Sequence, residues 1–445
     1  MAELSAAKVE ILRDLVAMAP DAVVFMLEDR LSDDTSSDGA LAAVRALVTH
    51  EATDRRVRNS ALSPVAALFR PAAAGQLTFP SHALRLIWRG LKAEAPDQVR
   101  EAELFCLRFN DDEDPPRVFD DLCKTAAEQL AAGEQTDFAA AAQACAKAND
   151  EGVAALVGCL ELSRIVRPAT RRLADWVRRM NSESTALVRL HYRDACALEA
   201  DGGIHFFEML AAQMSEPWQI LRIISAVMDK PSETYLAASE MASFADRVFT
   251  DIDQQLTIIR GFDLAGGEAA ARSVAQAVRR ASNQIAEFED SVRMAGGPWA
   301  QRLANQKKSL ALAVESRLKD VSKVVDLALP TQSLRYGARM VKAAPKLTTD
   351  PDPVQIARAL TLLNFADGVR AEADGAGFGA VRTKVFEALE SRMDTYVEDL
   401  LDRLRSGDGD PPERLRAYLE AAAEIVSASR DEKSAQIVRR RAAAA

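Results

Sequence analysis

A chain of 445 residues, 48% hydrophobic and 27% charged, can bury a large core, and its length allows two or three domains. A formal charge of -10 argues against nucleic acid bound over the whole surface, although a local basic patch remains open. Aromatic residues make up 6% while alanine is abundant throughout, so helix formers outnumber the runs that favour strands and the expected fold class is all-α.

The first stretch, MAELSAAKVEILRDLVAMAP, carries Glu3, Lys8, Glu10, Arg13 and Asp14 through its apolar pattern, which no signal peptide tolerates, so it reads as a helix over 5–18. Pro20 opens a second helix to about 31, and DDTSSDG (33–39) is a polar loop before a third. Shorter helices are expected on to about 215. Their breaks are placed at Pro71, Pro96, NDDEDPP (110–116), Gly133, Pro168, 181–184 and the Asp-Gly-Gly at 201–203.

The pattern lengthens after MDKPSE (228–233), a hinge candidate by composition, into three stretches separated by DLAGGE (263–268) and MAGGP (294–298). Met241, Phe244, Val248, Ile252, Leu256 and Ile259 line one helix face in the first stretch. Trp299, Leu303, Leu310, Val314, Leu318, Val321 and Val325 do so in the third. Long stripes joined by glycine turns predict antiparallel hairpins. Trp218 and Trp299 each follow a proline at a helix start and read as packing residues. Beyond Pro330 the reading is a short basic helix, then helices over 353–373 and 380–405, a breaker SGDGDPPE (406–413) and a last helix to about 430. Ala442 to Ala445 read as an added tail. No strand and no fixed-period repeat stands out. The architecture expected is an irregular helical-hairpin stack or bundle with long antiparallel helices in the second half, divided into 1–230, 231–330 and 331–445.

Cys106, Cys123, Cys145, Cys159 and Cys196 are odd in number, widely spaced and never in a CxxC pair, so they read as small core residues in a reducing compartment. No uncharged run approaches the roughly 18 residues of a membrane span, and the expected location is the cytoplasm.

The stretch HYRDACALEADGGIHFFEML (191–210) sets His191 before Asp194 and His205 before Glu208 at i,i+3, a spacing that offers two ligands on one helix face. The glycine turn between them would separate the pairs by roughly 15 Å in an antiparallel hairpin, so two ordinary helices with surface pairs are expected instead of a shared ion. His50 in HEATD is half of an HExxH motif and lacks the second histidine. The acidic run NDDEDPPRVFDD (110–121) lacks both the DxDxDG order of a calcium loop and a DDxxD spacing, and reads as a solvated loop and helix start. Gly375, Gly377 and Gly379 follow a helical stretch, not a strand, and no GK[ST] is present, so they read as a flexible connection between helices. No GxSxG elbow and no diagnostic cysteine–histidine spacing supports nucleophilic catalysis. No cofactor or metal is expected.

Two arginine-rich stretches stand out. SRIVRPATRRLADWVRRM (163–180) holds Arg164, Arg167, Arg171, Arg172, Arg178 and Arg179 against one acid, Asp175. LRYGARMVKAAPK (334–346) holds Arg335, Arg339, Lys342 and Lys346 at helical spacing beside Leu334, Ala338 and Val341, with no acid. These are the candidate anion-binding residues, for phosphate or an anionic lipid surface. Against that stands docking onto the protein's own carboxylates, including those of 110–121. The expected function is a non-catalytic helical scaffold or adaptor that binds a protein partner, with self-association open. The alternative is binding to an anionic surface, nucleic acid or membrane, through the arginine helices. A third reading is an enzyme whose site assembles only in three dimensions, drawing on His191, Asp194 or Glu208.

Overall fold

A computed structural model describes residues 6–33, 39–72, 75–108, 114–336, 340–407 and 409–445, with side chains described from 7 onward except at 334–336 and 340–342. The chain divides into two compact units, Met1–Asp229 and Lys230–Ala445.

The described part of the first unit is built from helices. Its helices are α1 (Ala6–Met18), α2 (Asp21–Ser32), α3 (Gly39–Ala61), α4 (Ser81–Glu94), α5 (Pro96–Arg108), α6 (Arg117–Ala132), α7 (Thr136–Ala148), α8 (Gly152–Arg178), α9 (Ser182–Leu198), α10 (Gly202–Ala212) and α11 (Ile220–Met228). Punctuation follows local chemistry. Pro20, Pro80 and Pro116 precede α2, α4 and α6, Gly133 ends α6 in the left-handed region, and the Asn181 side chain caps α9 by accepting from the Ser184 N–H at 2.7 Å. α8 is the spine, packed against α6, α7, α9 and α10, with Leu156, Cys159, Leu162, Val166 and Trp176 buried along it. The α9–α10 turn needs glycine, because a Cβ on Gly202 would stand 2.0 Å from the Ala195 carbonyl oxygen. Away from this core, α1 and α2 pack on α3 through a thin layer of Val24, Val48 and Ala52 with Val16, Phe25, Leu31 and Val44.

Pro168 does not break the chain as expected. α8 continues through it for ten residues. An interior proline costs about 3 kcal/mol, and the side chains that α8 buries on both sides of it, Leu162 and Val166 before and Ala169, Leu173 and Trp176 after, outweigh that loss.

The second unit contains α12 (Glu233–Ala237), α13 (Ala242–Arg260), α14 (Gly267–Ser291), α15 (Pro298–Ala328), strands β1 (Thr331–Tyr336) and β2 (Met340–Pro345), then α16 (Pro353–Gly368), α17 (Gly379–Ser406), α18 (Pro412–Ser429) and α19 (Glu432–Ala444). α13, α14 and α15 pack on one another as antiparallel hairpins, and every residue of the two expected stripes is buried. Phe249 stands 4.6 Å from Phe288 and 6.0 Å from Trp299, ring centre to ring centre, at the end of the bundle where Pro298 opens α15. α16 lies against α14, α15 and α18, and α18 pairs with both α17 and α19.

Three expectations need correction here. The short basic helix is a two-stranded antiparallel hairpin, Thr331 opposite Pro345 and Tyr336 opposite Met340, closed further by Lys346 N–H donating to Pro330 O at 2.9 Å. Prolines at 330 and 345 and a glycine-containing three-residue connection are hairpin punctuation that the helical spacing of the cations concealed. α16 ends at Gly368, and turns carry the chain to α17. The chain also has a further helix, α19, capped by Asp431 accepting from Ser434 N–H at 2.7 Å, and it absorbs Ala442 to Ala444.

Candidate functional site

The arginines of α8 separate into three kinds. Arg167 is buried, 6% exposed, and braces the ends of two neighbouring helices. Its Nε donates to Asp120 Oδ1 at 3.0 Å, Nη1 to the Ser60 carbonyl at 3.0 Å and Nη2 to the Ala61 carbonyl at 2.9 Å, while its guanidinium lies over the Phe119 ring. Arg171 pairs with Asp114 and Arg178 with Asp175 one turn away. Arg164, Arg172 and Arg179 are exposed and form no ion pair with a described carboxylate. Docking onto the protein's own acids therefore accounts for Arg167, Arg171 and Arg178, the first two reaching the segment expected to be acidic and solvated.

The second basic stretch is a hairpin. Its register sets Arg335 opposite Val341 and Lys342 opposite Leu334, so the helix that would gather four cations on one face does not form. Arg339 lies outside the described residues, and Lys346 is exposed.

The histidines resolve by their neighbours. His191 packs beside Trp176, ring centres 6.5 Å apart; burial holds its imidazole below the ordinary value, Asp194 opposes that and Arg172 adds to it. His205 is buried, not on the surface, and its Nδ1 lies 3.1 Å from Glu199 Oε2 instead of meeting Glu208. Glu208 is buried too, and one of its oxygens accepts from the Leu77 N–H at 3.4 Å. Glu199 fits there because position 158 is glycine, where a Cβ would stand 2.1 Å from its Oε1. Cys159 adjoins this group; burial pushes its thiol well above the ordinary range, and the charges of Glu199 and Glu208 push it further, so it stays protonated and unreactive at neutral pH. His50 is exposed, and its partner by spacing, Asp54, instead accepts from Trp88 Nε1 at 3.0 Å and pairs with Lys92. Among the described residues, no three His, Cys, Asp or Glu side chains gather as a metal site would need.

Sequence reading missed a different surface. Sixteen large hydrophobic side chains are exposed among the described residues, and six of them fall between 11 and 27: Ile11, Leu15 and Met18 on α1, and Val23, Met26 and Leu27 on α2. Each helix already packs on α3 by another side, α1 through half-buried Val16 and α2 through buried Val24 and half-buried Phe25 and Leu31, so the exposed residues form a separate apolar stripe at i, i+4, i+7 and i, i+3, i+4. Mixed charges, Glu10, Arg13, Asp14, Asp29 and Arg30, border these stripes. The signal in the sequence was an apolar content too wide for one face. No helix among the described residues is long and apolar enough to cross a membrane.

No family model matches this chain, and neither does any curated protein or any solved structure.

Proposed function

We propose that this chain is a non-catalytic helical scaffold or adaptor of the cytoplasm, and that α1 and α2 receive an amphipathic helix of a protein partner. The observation that carries the reading is the double stripe. Ile11, Leu15, Met18 and Met26 are each between 57% and 72% exposed, on helices whose other face already holds them to α3. Covering each of these four side chains contributes roughly 1 kcal/mol. Grouped exposed apolar residues bordered by charge are the usual form of a helix-docking surface.

The test is retrieval of partners by the tagged protein after nuclease treatment, compared between wild type and the Ile11→Asp, Leu15→Asp, Met26→Asp variant. A protein retained at near-equal amount by wild type and lost from the variant supports the reading. Retention unchanged by the three aspartates, with the variant folded by circular dichroism, overturns it. A second copy of this chain as the retained species identifies self-association, which sedimentation at two concentrations would measure.

Arg164, Arg172 and Arg179, exposed and without an ion pair among the described residues, favour a second reading, contact with a phosphate-bearing surface. Replacing all three by alanine should then abolish sedimentation with vesicles that contain phosphatidylserine, and added salt should do the same.

A further inference from the structure

A cleft of about 790 Å³ opens in the first unit between the end of α1, the start of α4 and the residues Phe69 to Ala72 and Thr78 to Pro80. That volume lies within the range of sites for small organic molecules. Its floor is apolar and aromatic. Phe79 and Leu84 are buried beneath it, and the Phe69 and Phe79 rings stand 5.4 Å apart.

The charged lining is predominantly cationic. Arg58, Arg70 and Arg85 stand against a single lining carboxylate, Asp21, with Arg70 already donating to Gln76 at 2.8 Å, and His82 adds a ring N–H. That carboxylate is saturated, because Oδ1 accepts from Arg55 at 2.9 Å and Oδ2 from Arg58 and, at 3.2 Å, from Asn59. Arg58 is 3% exposed; its Nη2 serves Asp21 and Asn59 and its Nε serves Asn59, while Nη1 has no acceptor among the described residues. Burial holds the Arg58 guanidinium below its ordinary value and Asp21 opposes this, so a further anion would relieve a desolvated cation. Arg85 donates from Nη1 to Ala17 O at 2.6 Å and keeps Nε and Nη2 without acceptors among the described residues.

Two helix ends reinforce the sign. α4 has no side-chain cap, so the first-turn N–H groups of Ser81 and His82 open where these residues line the cleft. The opposing negative end of α1 is neutralised, since Arg55 takes the carbonyls of Val16, Ala17 and Ala19, and Arg85 also takes Ala17. A neighbouring recess of about 530 Å³ shares Met18, Arg58, His82 and Arg85 and holds the acids Asp14, Glu51 and Asp54. Glu51 there pairs with Arg55, and Asp54 with Lys92.

The geometry points to a binding site for a small organic oxyanion, a carboxylate or phosphate carried on a flat apolar body. The oxyanion meets Arg58, Arg85 and the start of α4, and the body lies over Phe69 and Phe79. Nothing in this site depends on the stripes of α1 and α2 beyond Met18.

Calorimetric titration of the full chain with 2-naphthoate, 1-naphthyl phosphate and the neutral 2-naphthalenemethanol tests it. At least one anion should bind about tenfold or more tighter than the alcohol, and which of the two is tighter identifies the head group. Arg85→Gln should weaken the anion by roughly tenfold and leave the alcohol unchanged. Arg85 is half-buried, and thermal unfolding reports whether the variant is folded; His82→Ala, at an exposed position, is the reserve variant. The Ile11→Asp, Leu15→Asp variant should bind the anion as wild type does, which separates this site from partner docking. Anions no tighter than the alcohol, or affinity indifferent to Arg85 in the folded variant, would overturn the assignment.

Discussion

Glu233 shows how a single side chain can organise a helix start. It is 2% exposed and accepts from the N–H groups of Ala295 at 3.3 Å, Gly297 at 3.0 Å, Trp299 at 2.6 Å and Ala300 at 3.2 Å, so one carboxylate satisfies the orphan donors at the start of α15. Gly297 is required beside it, since a Cβ there would stand 2.5 Å from Glu233 Oε1. Burial pushes this carboxyl up, the four backbone donors pull it down harder, and it rests below the ordinary 4.5. A carboxyl lowered by folding adds stability above its unfolded value, and that contribution is lost as pH falls through the folded value. Glu233→Gln should therefore cost about 3 kcal/mol at pH 7 in urea unfolding, with the gap to wild type closing below about pH 4.5. A gap that stays constant to pH 3 would deny the charge its role. His191 titrates by the opposite logic. Its lowered value means the unfolded chain takes up the proton more readily, so acidification below about 6.5 destabilises the fold. Its ring resonances should titrate below 6.5, and Arg172→Ala should raise the midpoint by removing a like charge.

At the scale of elements, α8 separates structural cations from available ones. Arg167→Ala leaves Asp120 and the carbonyls of Ser60 and Ala61 without their shared donor, and should cost about 3–5 kcal/mol. Arg164→Ala and Arg179→Ala, at exposed positions with no ion pair among the described residues, should stay within about 0.5 kcal/mol. Chemical unfolding of the three variants checks this; an Arg167→Ala cost near that of the others would return Arg167 to the surface set. All six arginines look alike in sequence. What distinguishes Arg167 is its neighbour 47 residues away, Asp120, and no local spacing encodes that. The stripes of α13 and α15 were legible because a period near 3.6 is a local property of a chain whose helices pack along their whole length. Pro168 and the 331–345 hairpin were not, because in one case packing overrides a local breaker and in the other a ladder between strands replaces a helix of the same spacing. The cleft beside α4 was invisible for the same reason, its three arginines coming from α3, the following segment and α4 itself.

For the whole molecule, the division after Asp229 sets the unit of stability. Each unit carries its own fully buried aromatics, Phe138, Trp176, Phe206 and Phe207 in the first, Phe249, Phe288, Phe365, Phe378 and Tyr418 in the second. Each is well above the minimum size at which one core sustains a domain. The boundary is sharp in the backbone: Asp229 ends α11 at φ 60°, Lys230 follows at φ 52°, and Pro231 comes next. A composition shift at MDKPSE was the visible trace of this in the sequence, while the reason for it, two separate sets of contacts, lies in pairings far apart along the chain. Two cores of about equal size should unfold as two cooperative steps, each with a heat-capacity change of about 3 kcal/mol/K, and the calorimetric enthalpy of the full chain should exceed the van't Hoff value by about twofold. Residues 1–229 and 230–445 made separately should each show a cooperative transition, with helical ellipticities that sum to that of the full chain. A fragment that melts without cooperativity would mean that its core is completed by the other, and the chain would then be one folding unit instead of two.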